Sequence, residues 1–440
     1  MKDNYVLYNI TIIDGNGGIP LENGAVVVKS GIIDQVGTVD QLSGIDNDIE
    51  KIDLGGYCLM PGMIDTHVHL GGMSGDAVSG WTIHPDIRLL KSIPEAQAIL
   101  SYGFTSIRDV GSPGAVYLKR LVELGEITGP RIVACGRLLT RSGGHSDIPE
   151  LPFECVKDSH YWGVMADGEH EIRKAIRMLL RQGADQIKFL SCGGSNNMID
   201  RISDQHYSYS EIKTIVDESK RIKGTRVAAH AMFPEPIGDC IKAGVDSIEH
   251  GYGMTEEQAV LMAEKNIYLV PTLYLLINWY EEIMKVISTE TSPGVKYGPF
   301  FHRDMIELKP VDIEKEIKVF TDTFELARSK GVRIALGSDT VNEAITKYGK
   351  YGAMELKTLV RCGMSPLDAI TAATSTAAEV LGLASRIGSI KPGKIADMLV
   401  LKKNPAYDID VLTNKENIFQ IIQGGKLTLE DGKWLMKQYD

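Results

Sequence analysis

Residues 57–70 read YCLMPGMIDTHVHL, and the rest of the chain is organised around this segment. A short apolar run that ends at Met60 leads through Pro61-Gly62 into an alternating segment, a pattern typical of a buried strand after a turn. Side chains along a strand alternate between two faces, so His67 and His69 point the same way. Two imidazoles at one strand end can chelate a transition metal, although a lone HxH pair is more often two solvated histidines.

The middle of the chain, residues 60–382, alternates strand-like with helix-like segments. The strand candidates are Gly62–His67, Thr105–Asp109, Arg131–Cys135, Gln186–Leu190, Arg226–His230, Ser247–His250, Tyr268–Pro271 and Arg333–Gly337. Strands that alternate with helices indicate a parallel sheet, and eight strands are enough to close a (β/α)8 barrel. We therefore predict an α/β fold whose central part is a TIM-like (β/α)8 barrel.

Both ends of the chain are rich in short β-like runs separated by Gly, Asn and Asp turns. This texture covers residues 1–59 and returns in residues 383–440. Two similar ends around a different middle suggest that they pair. We predict one composite domain, a small β-sandwich built from both termini.

Composition excludes several classes of function. The chain has 440 residues and a formal net charge of -11, which argues against nucleic acid and anionic membranes as partners. Its six cysteines are scattered, as is typical of core thiols in a reducing compartment. We see no signal-peptide pattern and no apolar run of roughly 20 residues that would span a bilayer. We expect a soluble, cytoplasmic protein that acts on a small molecule.

Four further candidate metal ligands follow the HxH pair: Lys188, His230, His250 and Asp339. Each lies at the carboxyl end of a predicted strand, which is where a parallel barrel places its active site. A single histidine at a strand end is more often a structural residue. The ordered set of ligands instead indicates metal binding.

Five motifs resemble the amidohydrolase superfamily: PGMIDTHVHL, QIKFLSCGG, VAAHAM, SIEHG and LGSDT. The resemblance covers essentially the whole chain, including the tail GSIKPGKIADMLVL. Within the superfamily, GFTSIRDVGSPG, SGGHSD and IEHGYGM are most similar to the imidazolonepropionase-like and prolidase-like branch. That branch includes metal-dependent Xaa-Pro and Xaa-Arg dipeptidases.

The resemblance implies a site for two divalent metal ions, with zinc as the expected metal. His67, His69 and Asp339 would hold one ion, and His230 and His250 the other. Lys188, carboxylated by CO2, would bridge them, because an ammonium cannot ligate a cation whereas a carbamate offers two anionic oxygens. The apolar neighbours of Lys188 favour its neutral amine, which is the form that reacts with CO2.

The expected reaction is hydrolysis of an amide-type C–N bond, with a dipeptide or an N-acyl amino acid as substrate. Two cations would polarise the substrate carbonyl and lower the pKa of a bridging water to give hydroxide. Asp339 would accept the proton of that water and deliver it to the leaving amine.

The substrate contacts follow from the same resemblance. His145 in SGGHSD looks like the branch's strand-three histidine, which would orient or polarise the substrate carbonyl, or it is an ordinary loop residue. Met232 stands where dipeptidase-like relatives often have Tyr or His, which points to a less polar substrate. Arg141 or Tyr252 would then supply polarity. The loop aromatics either line an apolar pocket or pack the loops: Trp81, Tyr161, Trp162, Tyr274 and Trp279.

Three alternatives stay open at this point. A lactonase, carbamate hydrolase or other small-molecule hydrolase would share the same ligands. A one-metal deaminase or imidazolone-type ring hydrolase is less favoured, since deaminases typically place a glutamate where this chain has Phe233. A non-catalytic scaffold is disfavoured because all six ligands are present. The resemblance also implies a homo-oligomer.

Overall fold

The computed structural model describes residues 2–45, 48–72, 83–149, 151–156, 162–194, 199–278, 281, 310–341 and 346–435. The strands, in chain order, are β1 (Asn4–Ile12), β2 (Leu21–Lys29), β3 (Ile32–Thr38), β4 (Glu50–Asp53), β5 (Cys58–Pro61), β6 (Met63–Val68), β7 (Phe104–Asp109), β8 (Arg131–Ala134), β9 (Leu138–Thr140), β10 (Gly163–Met165), β11 (Gln186–Leu190), β12 (Arg226–Ala231), β13 (Ser247–His250), β14 (Tyr268–Val270), β15 (Met398–Leu401), β16 (Ile418–Gln423), β17 (Lys426–Glu430) and β18 (Lys433–Trp434).

The α-helices lie almost entirely in the middle of the chain. They are α1 (Pro85–Ser101), α2 (Ala115–Glu123), α3 (Phe153–Val156), α4 (Gly168–Gln182), α5 (Tyr209–Arg221), α6 (Pro234–Ala243), α7 (Glu256–Glu264), α8 (Pro310–Ser329), α9 (Lys350–Arg361), α10 (Pro366–Ala372) and α11 (Ser375–Val380). Within the described residues, no helix is long and apolar enough to cross a membrane.

Helix α4 shows how local sequence sets these elements. Its buried positions include Ile172, Ile176 and Leu179, whose spacing of four and three residues forms one apolar stripe. The helix ends at Gly183, whose φ of 106° is a left-handed conformation that glycine adopts without a steric penalty. Both signals, the apolar stripe and the terminal glycine, are local features of the sequence.

The strands of both chain ends form one mixed sheet in the order β18-β17-β16-β15-β5-β1-β2-β3, with β4 paired to β1. The junction between the two ends is the antiparallel ladder of β15 and β5, in which Met398 lies opposite Pro61. Strands from the two ends therefore belong to one sheet. The sandwich form and the domain boundaries stay predictions.

Strand β15 is buried on both faces. Met398 and Val400 pack into the core of the terminal sheet, whereas Leu399 and Leu401 pack into the large core of the middle part. Because side chains alternate along a strand, the two faces of β15 pack into two different cores. The terminal sheet is thus fixed against the part of the chain that carries the candidate ligands.

The middle of the chain forms two parallel sheets, β6-β7-β8 and β10-β9-β11-β12-β13-β14. Residues 333–340, predicted to contain a strand, instead make isolated bridges: Ile334 pairs with Leu269 of β14, and Thr340 with Val68 of β6. This segment joins the two sheets on one side. On the other side, no ladder of the described residues links them, so strand pairing does not confirm the expected closed barrel.

Candidate metal centre

The carboxyl ends of the parallel strands bring the predicted ligands together. The ring centroid of His67 lies 5.4 Å from the ring centroid of His69 and 5.4 Å from that of His250. The ring centroids of His230 and His250 are 4.6 Å apart. Asp339 arrives from the bridging segment, where its backbone N–H donates to the carbonyl oxygen of His67 at 2.8 Å. Its Oδ1 lies 3.4 Å from the Nε2 atoms of both His67 and His69.

Three of these side chains already have the spacing of a metal site. One ligand atom each from His67, His250 and Asp339 lies within 4.8 Å of the others. Imidazole nitrogens with a carboxylate oxygen are a donor set that suits zinc and other divalent transition metals. The residues present therefore fit the metal that the sequence predicted.

Hydrogen bonds to one nitrogen of His67 and one of His230 determine which nitrogen of each ring faces the centre. Nδ1 of His67 lies 2.7 Å from Oε2 of Glu249, and Nε2 of His230 lies 3.1 Å from the carbonyl oxygen of Gly193. A carboxylate or carbonyl oxygen only accepts, so these nitrogens carry the protons. The opposite nitrogens keep their lone pairs for a metal, as is usual for metal-binding histidines. Nδ1 of His250 is similarly bonded, at 2.8 Å, to the Thr272 hydroxyl.

Glu249 and Arg108 form a buried ion pair behind His67 that the sequence analysis missed. Arg108 Nη2 donates to Glu249 Oε1 at 2.7 Å and Nη1 to the Ser247 hydroxyl at 2.9 Å. Burial alone would raise the pKa of Glu249, but the Arg108 and Lys188 charges and the Ser247 hydrogen bond lower it below its ordinary value. The sequence did offer one signal for this pair: Glu249 is a charged residue inside a strand predicted to be buried, where charged residues are rare unless they are paired.

Lys188 lies on β11 with only 1 % of its surface exposed. The register pairs Lys188 with Ala228, two residues before His230, so both side chains point to the same side of the sheet. Within the described part of the chain, no hydrogen-bond or ion-pair partner lies within reach of its amine. Burial lowers the pKa of Lys188, which favours the neutral amine.

The charges of the ligands also suit a cation. Burial, with Lys188 as the next cause, lowers the pKa of His67 well below the ordinary value, and burial does the same for His230 and His250. Burial opposes ionisation of Asp339, but His67, His69 and Lys188 outweigh it and lower its pKa. Neutral imidazoles and an ionised carboxylate are the forms that bind metal.

Left-handed backbone conformations occur at the strand ends that carry the site. His250 has a φ of 70°, Asp339 of 52° and Thr272 of 50°. For residues other than glycine this conformation costs roughly 1–3 kcal/mol. In a regular strand Glu249 and His250 would face opposite sides, yet both contact His67. The positive φ of His250 lets neighbouring residues serve the same centre.

The four predicted substrate contacts differ in what their side chains touch. The ring of His145 lies 5.0 Å from that of His230, beside the centre. Arg141 Nη1 donates to the carbonyl oxygen of Ser142 at 2.9 Å, within its own loop. Met232 is half-buried against the main core, and the Tyr252 hydroxyl donates to the carbonyl oxygen of Pro271.

Among the loop aromatics, Trp162 is buried and stacks on His69 with ring centroids 5.2 Å apart. Tyr274 instead contacts the ring of Tyr351, at 4.8 Å. The remaining three lie outside the described residues: Trp81, Tyr161 and Trp279.

Residues 58–428 match the model of the Amidohydrolase family, and the chain belongs to this family. It is an enzyme, a hydrolase that acts on C–N bonds. An ochratoxinase of Aspergillus niger is 32 % identical in an alignment that covers 96 % of this chain and 86 % of the relative. The imidazolonepropionase of Symbiobacterium thermophilum is 24 % identical, with 94 % of this chain and 92 % of the relative covered.

Solved structures show the same relationship. The crystal structure of A. niger ochratoxinase superposes with a TM-score of 0.83 at 29 % identity, over 98 % of this chain and 97 % of that one. A Xaa-Pro dipeptidase with bound methionine gives 0.82 at 29 % identity, over 97 % and 100 %. These relatives confirm the resemblance to the imidazolonepropionase-like and prolidase-like branch.

Proposed function

We propose that this chain is a binuclear metal-dependent hydrolase that cleaves the amide bond of dipeptides or N-acyl amino acids. The observation that carries the proposal is the convergence of four histidines, a buried lysine and a carboxylate at one edge of the parallel sheets. Bonds that fix two of the histidine tautomers, to Glu249 and Gly193, support it further.

In this proposal each ligand has a defined place. His67, His69 and Asp339 would hold one ion, His230 and His250 would hold the other, and Lys188, once carboxylated, would supply an anionic oxygen to each. When bound, the two ions, with zinc as the expected metal, supply a Lewis acid for the substrate carbonyl and activate a water molecule. The isolated, buried amine of Lys188 supports carboxylation, because a neutral amine is the form that reacts with CO2.

Asp339 is the proposed proton shuttle. It accepts a proton as a water oxygen adds to the carbonyl carbon, and returns that proton to the nitrogen as the C–N bond breaks. The products are a carboxylic acid and an amine. The side chain of Asp339 is 18 % exposed, more than the 1 % and 9 % of His67 and His69, so it can reach both water and leaving nitrogen.

The names of the relatives support amino-acid amides as the substrate class. They include an ochratoxinase, a Xaa-Pro dipeptidase with bound methionine, and a prolidase complexed with N-methylphosphonate-L-proline, which gives a TM-score of 0.83 at 29 % identity. Trp162, which stacks on His69, adds apolar surface beside the centre. We therefore expect apolar dipeptides and N-acyl amino acids to be the best substrates.

We also propose that the parallel strands close into a (β/α)8 barrel. The bridges of Ile334 with Leu269 and of Thr340 with Val68 support closure on one side. A TM-score of 0.84 with a solved amidohydrolase, at 30 % identity, supports the same overall arrangement.

The test is metal content measured together with turnover on a panel of dipeptides, N-acyl amino acids and ochratoxin. About two metal ions per chain and cleavage of an amide would support the proposal. His250→Ala should lose metal, whereas His84→Ala, which changes a side chain that is 67 % exposed, should not. One ion per chain would favour a ring hydrolase or deaminase instead. Two ions without amide cleavage would favour lactones or carbamates.

A further inference from the structure

The chain after β11 folds back towards the candidate centre. Cys192 forms an antiparallel bridge with Gln205, and the N–H of His206 donates to the carbonyl oxygen of Ser191 at 2.9 Å. This return brings Asp200 and His206 from the far part of the segment to the side of the centre where His145 lies. Neither residue was singled out by the sequence.

Asp200 is a fully buried carboxylate between two histidines. Its Oδ1 lies 2.7 Å from Nε2 of His206, and its Oδ2 accepts the N–H of Gly194 at 2.8 Å. Oδ2 also lies 4.0 Å from Nδ1 of His145. A carboxylate only accepts hydrogen bonds, so Nε2 of His206 is a donor. The donors of His206 and Gly194 hold Asp200, and its charge faces one edge of His145.

The ring of His145 is held closely on two sides. A Cβ atom at Gly194 would lie 2.2 Å from the ring, so only glycine at this position leaves room for it. The ring of His230 contacts it with centroids 5.0 Å apart. The Thr140 hydroxyl donates to the backbone oxygen of His145 at 2.6 Å. The location of the imidazole is thus determined by packing, but packing does not choose between its two nitrogens.

We propose that Asp200 is a positioning residue for His145. Its carboxylate, fixed by His206 and Gly194, directs Nδ1 of His145 towards itself, so that the opposite Nε2 edge is presented to the substrate carbonyl. A separation of 4.0 Å is longer than a hydrogen bond, and contacts in active sites are often long before substrate binds and tighten afterwards. The inference rests on the proposed function, because His145 needs a substrate to orient.

The competing explanation is that Asp200 only ties its segment together. That explanation predicts a loss of stability, whereas positioning predicts an effect that needs the imidazole of His145. A double-mutant cycle separates the two, since a residue that acts through another has no further effect once the other is removed.

The first experiment needs no substrate. Nitrogen-15 NMR of the metal-loaded protein, labelled at its ten histidines, reports which nitrogen of His145 carries the proton; His145→Ala identifies the signal. Asp200→Asn, which keeps the shape and an acceptor oxygen for His206, should change the His145 signals. Asp204→Asn, in the same segment, should leave them unchanged. Unchanged signals in Asp200→Asn would overturn the proposal, whether or not any amide is cleaved.

The second experiment measures kcat and KM on the best amide of the panel. Asp200→Asn should lower kcat/KM about 10- to 100-fold, a typical effect of residues that orient a site. In the His145→Ala background the same change should have no further effect. An equal loss in both backgrounds would overturn positioning and leave only a structural role.

Gly194→Ala is an independent variant, useful if Asp200→Asn does not fold. The added methyl group should displace the ring of His145 and lower kcat/KM at least tenfold, and His145→Ala should cancel that loss by making room. A loss that persists without His145 would contradict the arrangement that we infer. Melting temperature and metal content are measured for each variant, so that loss of fold or metal is recognised.

Discussion

At the scale of single residues, the candidate centre depends on bonds formed away from it. Glu249 holds Nδ1 of His67, the carbonyl oxygen of Gly193 holds Nε2 of His230, and the opposite ring nitrogens keep their lone pairs. Such partners set both tautomer and orientation of a metal-binding histidine. Substitution of a residue that bonds a metal-binding histidine, such as Glu249, should therefore alter metal affinity as well as stability.

Lys188→Ala should lose most of the bound metal and most of the activity, because the proposed anionic bridge is removed. Metal analysis and turnover of the purified variant measure this directly. Lys213→Ala, at an exposed lysine of α5 that pairs with Asp217, is the control and should behave as wild type. Normal metal content and turnover in Lys188→Ala would refute the bridge.

Asp339→Asn should lower kcat about 10²- to 10⁴-fold, the usual contribution of a general acid–base group, with a much smaller effect on folding. An amide cannot accept the proton of the attacking water. Steady-state kinetics and thermal unfolding are compared with Asp217→Asn, a surface change. A near-wild-type kcat would remove Asp339 from the role of proton shuttle.

Glu249→Gln should weaken metal binding about 10- to 100-fold, because His67 loses its charged partner. It should also lower the free energy of unfolding by roughly 3–5 kcal/mol, since the buried Arg108 charge is left unpaired. Metal affinity by chelator competition and denaturant unfolding measure the two effects. Glu257→Gln on the exposed face of α7 is the control. Unchanged metal affinity would mean that Glu249 serves the fold alone.

At the scale of elements, a side chain of helix α9 holds the segment that follows β14. Glu355 of α9 accepts the N–H groups of Leu273 at 2.9 Å and Tyr274 at 2.5 Å, directly after Thr272, which bonds His250. A helix thereby fixes the chain that follows β14. Burial raises the pKa of Glu355 to about 8, although those two N–H groups act to lower it.

The raised pKa of Glu355 predicts how the stability of the protein depends on pH. The unfolded chain releases the Glu355 proton near the ordinary value of 4.5, and the folded protein near 8. The contribution of this carboxyl to stability is therefore complete below about 4.5 and is lost as pH rises through 8. Denaturant unfolding of Glu355→Gln, which cannot titrate, should show a weaker decline across this range. Parallel pH profiles of variant and wild type would contradict the raised pKa.

At the scale of the whole molecule, β15 makes the terminal sheet and the middle part share their packing. Leu399 is fully buried in the main core, where it lies against Gly103, while Met398 and Val400 face the other core. Gly103 has a φ of 86°, and a Cβ atom there would lie 2.7 Å from the Leu399 side chain. The two parts should unfold as one unit.

Leu399→Ala should lower the free energy of unfolding by about 2–5 kcal/mol, the usual result of removing a buried leucine side chain. Denaturant unfolding followed by two probes, tryptophan fluorescence and far-ultraviolet circular dichroism, should show one shared transition. Leu124→Ala, at a residue that is 61 % exposed, should change stability by less than about 0.5 kcal/mol. Two separated transitions would contradict the shared core.

By itself, the sequence determined the class of enzyme and the elements that carry its candidate ligands. Apolar runs that carry Lys188 or end in His67, His230 and His250 are local patterns, because a strand and the residues within it are neighbours along the chain. The apolar stripe and terminal glycine of helix α4 are likewise local features. The motifs around these positions led to the amidohydrolase family, which the family match confirms.

Only the tertiary structure decided what stands behind the ligands and how the sheets join. Arg108 and Glu249 are 141 positions apart, and His67 and Glu249 are 182 apart, so no local pattern links them. The bridges of Ile334 and Thr340 replaced an expected strand, because the pairing partners of a segment are set by distant chain. Asp200 reaches His145 for the same reason. Periodicity records which face of an element is buried, whereas contacts between elements depend on how those faces meet.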